Sequence, residues 1–106
     1  MAYYVTDDDH YAIYTWGPFA TVTNARTFAY KRLIINIKDT PVSKWMDVLI
    51  SNQKIGKAKW VVSFSDRYGP VIKNLETDRI YSLSPDGRTS LITKKTPVKD
   101  WHPFGL

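Results

Sequence analysis

His10 and His102 are the only imidazoles in the chain, and they stand near its opposite ends. Two imidazoles with a nearby lysine can serve as general acid and general base in phosphodiester cleavage. Nothing in the sequence draws this pair together, and each lies among ordinary surface residues. Glu76 is the sole glutamate, so a catalytic carboxylate pair would have to come from aspartates. There is no Gly-x-Ser-x-Gly elbow, no phosphate-cradling glycine-rich loop and no His-Glu-x-x-His run. The absence of cysteine excludes thiol nucleophiles, thiolate metal sites and disulfides. These residue types predict a chain that binds without catalysing, and one with no cofactor.

Asp7-Asp8-Asp9-His10 carries metal-ligand chemistry in the wrong spacing. Neighbouring side chains of an extended segment point apart, and a calcium loop needs alternating ligands and a turn glycine. The run is expected to be a polar hairpin turn, with no metal bound.

The cationic signal is stronger. The chain holds 15 Lys or Arg against 10 Asp or Glu, a net charge of +5. That charge is concentrated: residues 1–20 contain Asp7, Asp8 and Asp9 and no Lys or Arg, whereas most of the excess lies in residues 21–59. Arg26, Tyr30, Lys31 and Arg32 fall on an expected helix, away from its apolar stripe, and Lys54, Lys57 and Lys59 cluster further on. Lysine and arginine neutralise phosphate and release counterions, while tyrosine or tryptophan stacks on unpaired bases. These seven residues are the expected contacts to nucleic acid or to another partner. No RRM, KH, zinc-finger or helix-turn-helix signature accompanies them, so the contact expected is with backbone phosphate.

A protein partner is the alternative. Aromatic residues make up 14% of the chain, and Tyr, Trp and Arg are the side chains that anchor protein interfaces. In size, charge and want of catalytic residues the chain resembles the small accessory proteins that bacteriophages use against host systems, which implies an inhibitor or adaptor of a macromolecular machine. Trp101, His102 and Phe104, with Pro103 among them, suit either a docking tail or a strap over the domain's own core. Self-association through strand edges is a third reading.

The elements that must position these residues follow from patterning. Tyr3–Thr6 and Tyr11–Trp16 are β-branched and aromatic and predict a hairpin, which Gly17-Pro18 ends. Thr21 to about Leu33 predicts a helix with Val22, Ala25, Ala29 and Leu33 on one face and Thr21 or Thr23 as cap; Ile34–Ile37 fits its end or a short strand. Thr40, Pro41 and the spacing of Val42, Trp45, Met46, Leu49 and Ile50 predict a second helix, closed by Gly56. A meander follows: Ala58–Phe64, Val71–Leu75, then Arg79–Ser84 and Thr89–Thr93 paired across Pro85-Asp86-Gly87. Trp45 and Trp60 fall on apolar faces and are expected in the core.

Gly17-Pro18-Phe19 followed by Ala25 and Ala29 is similar to the first strand-turn-helix of the sporulation-related repeat, a small peptidoglycan-binding domain. The likeness covers Tyr14 to about Ala29, and no second strand-helix half with the same pattern follows.

The expected fold class is therefore α+β, with two helices packed on a mostly antiparallel sheet built from an N-terminal hairpin and a C-terminal meander. At 106 residues, one domain over 1–95 and an extended tail over 96–106 are expected. No apolar run approaches the length of a membrane span, and the N-terminus has neither a basic region nor an apolar signal core, so no membrane partner and a cytoplasmic setting are expected.

Overall fold

The structure, a computed structural model, describes residues 2–8, 13–39, 48–53, 57–65 and 67–96. Seven antiparallel strands form one sheet in the order β2-β1-β3-β4-β5-β6-β7, and one helix, α1, lies on it. β1 (Tyr3–Asp8) and β2 (Ile13–Phe19) make the N-terminal hairpin. α1 (Val22–Asp39) then carries the chain across to the far side of β1, where β3 (Val48–Ser51) pairs. β4 (Trp60–Ser65), β5 (Gly69–Asn74), β6 (Ile80–Leu83) and β7 (Thr89–Leu91) follow as a meander.

The expectation of two helices on a sheet is overturned: the protein is mostly β, with a single helix among the described residues. Leu49 and Ile50, placed at the end of the second helix by their spacing, belong to β3. Val48 and Ile50 are fully buried on the helix side, whereas Leu49 between them is half-buried on the other face. A short continuous apolar run satisfies the helical and the strand pattern alike, and pairing on both flanks, with β1 and β4, selects the strand. The rest of that expected helix, 40–47 and 54–56, with Trp45 and Gly56, lies outside the described residues, as does the tail from 97 onward.

Two smaller expectations also change. Gly17-Pro18 does not end β2, which runs on to Phe19. β2 is the edge strand, where a residue without an N–H leaves no ladder bond unmade. Ile34–Ile37 continues α1 and forms no strand.

The core is a single layer between α1 and the sheet. Ala25, Ala29, Leu33 and Ile37 recur along one face of α1 and bury against Val5, Val48, Ile50 and Val62. The two alanines let the helix axis lie close to the strands. Thr21 caps α1, its Oγ accepting the Asn24 N–H at 3.1 Å. α1 packs chiefly on β1, β2, β3 and β4, while Ile72 of β5 and Leu83 of β6 join the same core and the β6–β7 turn meets α1 at Gly87. No helix among the described residues is long and apolar enough to cross a membrane.

Candidate functional site

Polar groups of the chain line a concave surface at the edge of α1 over β4 to β7. The sheet register puts Trp60, Asn74, Ile72, Tyr81 and Thr89 on the helix side of β4 to β7. With Arg26 of α1 they line a cavity of about 260 Å³. Thr23, three residues earlier, accepts the Arg26 Nη2 at 3.2 Å. Arg26 Nε is buried and has no acceptor among the described residues. Partial burial lowers the Arg26 pKa below the ordinary arginine value, because desolvation disfavours the charged form. No carboxylate of the described residues lines this cavity.

Asn74 is held in place by its own turn. Its Oδ1 accepts the backbone N–H groups of Glu76 and Thr77 at 2.9 and 3.2 Å. That fixes the amide and leaves Nδ2 as a donor with no hydrogen bond among the described residues. Trp60 and Tyr81 are partly buried against the core, and Trp60 meets Tyr3 at 6.2 Å between ring centroids.

The fate of the expected contact residues is mixed. Lys31 is exposed on the outer side of α1 and bears no ion pair among the described residues. Tyr30 packs partly into the core, and burial raises the pKa of its hydroxyl. Together with Lys31, Ile34, Ile35 and Pro85 it lines a separate shallow hollow. Arg32 is not available to a ligand in the same way: its Nε and Nη2 donate to Asp7 Oδ2 at 3.3 and 3.2 Å. Its guanidinium also lies 4.7 Å from the centre of the Trp16 ring. Asn36 Nδ2 adds a third donor to the same carboxylate.

Asp7 is therefore not part of an exposed acidic turn. It is a β1 residue, 3% exposed, whose charge is matched from α1. Among the described residues no group of His, Asp and Glu could hold a metal ion. Lys59 donates to Glu76 at 2.6 Å, and this partner, with Lys57 nearby, lowers the Glu76 pKa. Lys57 is exposed without an ion pair of its own among the described residues. Lys54, Trp101, His102 and Phe104, as well as His10, lie outside the described residues.

Of the expected cations, then, Arg26, Lys31 and Lys57 form no ion pair with a carboxylate among the described residues, although Lys57 lies near enough to Glu76 to lower its pKa. Arg26 and Lys57 stand at one end of the sheet. Tyr3 pairs with Phe19, from which the chain enters α1, and Tyr4 pairs with Ser51, which leads toward Lys57. Lys31 lies further along α1, about 7.5 Å from Arg26 by helical rise. Trp60, Asn74, Tyr81 and Thr89 were not expected as site residues. Alternation marked Trp60 for the apolar face, but no sequence pattern shows where the edge of α1 falls over β4 to β7.

Compared with known proteins, the chain matches no protein family, no curated protein and no solved structure. The likeness of Tyr14–Ala29 to the sporulation-related repeat thus has no family match behind it.

Proposed function

We propose that the chain is a small, basic, non-enzymatic protein that associates with nucleic acid through backbone phosphate. The observation that carries this reading is the division of its cations. Arg32 and Lys59 are neutralised by Asp7 and Glu76, while Arg26, Lys31 and Lys57 are left unmatched among the described residues. Arg26, in a partly buried cavity with no carboxylate among its described lining residues, favours a polyanion over a mixed-charge protein surface. A phosphate reaching Arg26 would offset part of the desolvation that the guanidinium already bears. The same proposal places the protein in the cytoplasm, where such a polyanion is at hand.

The alternative, an inhibitor or adaptor of the bacteriophage type, makes the opposite prediction in one experiment. Tagged full-length protein is recovered from a cell lysate with and without nuclease treatment. Nucleic acid should co-purify, and washing with high salt should remove it. A stoichiometric protein partner that survives nuclease and salt, with no nucleic acid recovered, would replace this proposal with the alternative.

A further inference from the structure

We propose that the cavity between α1 and β4–β7 receives one unpaired nucleotide, so that the protein prefers single-stranded nucleic acid to duplex. The inference rests on the nucleic-acid reading and sharpens it. Three kinds of group meet in that cavity: the Arg26 guanidinium, the polar side chains of Asn74 and Thr89, and the rings of Trp60 and Tyr81. The Arg26 guanidinium and the Asn74 Nδ2 are donors, and the Thr89 hydroxyl can donate as well, while Arg26 Nε itself is buried. A donor set without a carboxylate selects acceptors, namely phosphate oxygens and the carbonyl or ring nitrogen atoms of a base.

The aromatic rings add what a simple anion site lacks. An anion alone needs no tryptophan, whereas a base presents a π-face that stacks on one. A peptide carboxylate would use Arg26 and gain nothing from the two rings beyond their partial packing against the core. Duplex DNA is excluded by shape, because its bases are paired and stacked while the cavity lies beneath the edge of α1. Only a base already free of its partner can enter without the cost of unstacking. Arg26 then takes the flanking phosphate, with Trp60 or Tyr81 against the base.

The test compares binding of the full-length protein to a labelled oligothymidylate, to a duplex of equal length and to a polyglutamate peptide, by fluorescence anisotropy. Thr89→Glu is the main variant. Thr89 is exposed at the cavity margin, so the substitution sets a carboxylate near Arg26 without disturbing the core. Arg26→Ala is the second variant, and circular dichroism confirms that both fold.

Wild type is expected to bind the single strand about tenfold more tightly than duplex, and each variant to lose that preference. Equal affinity for single strand and duplex would overturn the cavity assignment and leave the phosphate reading standing. So would a preference that survives both variants. Binding of polyglutamate that both variants abolish, with no preference for single strands, would assign the cavity to protein carboxylates. No binding to either nucleic acid would overturn this inference and the function it rests on.

Discussion

Arg32 of α1 reaches down to Asp7 of β1 with two donors on one carboxylate oxygen, at 3.3 and 3.2 Å. The contact ties the helix to the N-terminal hairpin and removes one of the expected cations from the binding surface. Asp7 has only a 5% exposed side chain, whereas that of Arg32 is 26% exposed. Loss of the arginine is therefore the more damaging change, since it leaves a buried charge with Asn36 as its one side-chain donor among the described residues. Arg32→Ala is expected to cost about 3 kcal/mol in urea unfolding, near the lower end for breaking a buried pair. Adding Asp7→Asn to Arg32→Ala should recover part of that loss, because the orphaned charge is gone. Additive losses would show that the two residues act independently.

Gly87 is fixed by two constraints at once. Its φ is +88°, and a Cβ there would stand 2.7 Å from both the Thr23 carbonyl oxygen and Thr27 Oγ1. The β6–β7 turn thus leans directly on the first turns of α1. Gly87→Ala must strain the backbone and push the hairpin off the helix, at a cost of about 1–3 kcal/mol. Thermal unfolding measures the loss. Hydrogen exchange should rise in β6 and β7 before it rises in β3.

Glu76 gives the pH dependence a sign. Its hydrogen bond and charge contact with Lys59, with Lys57 adding to the field, hold its pKa below the ordinary value in the folded protein. The unfolded chain lacks these contacts and binds the proton more readily. The stabilisation is therefore present above the unfolded carboxylate pKa and is lost as pH falls through the depressed folded value. Glu76 is exposed, so screening keeps the effect small. Glu76→Gln should slightly flatten the acid limb of stability against pH, and added salt should narrow the difference from wild type.

Much of the fold was legible because the local signals agreed with it. Thr21 caps α1 as its residue type predicts, Ala25, Ala29 and Leu33 form the buried stripe, and Pro85-Asp86-Gly87 turns a hairpin. The second helix failed where local signals were degenerate. Val48-Leu49-Ile50 fits either period, and only pairing with β1 and β4, which is a long-range fact, resolves it. The alternation of burial is itself testable. Ile50→Ala should cost about 2–5 kcal/mol, while the same truncation at the half-buried Leu49 should cost clearly less.

The candidate site was legible only in part, for the same reason. Composition located the basic segment, but it could not tell Arg26, left without an acid, from Arg32, matched by Asp7 25 residues away in sequence. The rings of Trp60 and Tyr81 come from β4 and β6, separated by β5 in the sheet. Their convergence on Arg26 depends on how far α1 extends over the strands, which no local pattern encodes.

The salt dependence of binding tests the central claim most directly. The observed affinity of the full-length protein for a single-stranded oligonucleotide is measured across a series of salt concentrations. The logarithmic slope should be about −2, or about −0.7 for each of Arg26, Lys31 and Lys57. Arg26→Ala or Lys31→Ala should each reduce its magnitude by about 0.7, while Glu76→Gln should not reduce it. Binding that is absent at low salt, or a slope unchanged when Arg26 and Lys31 are removed, would contradict the account.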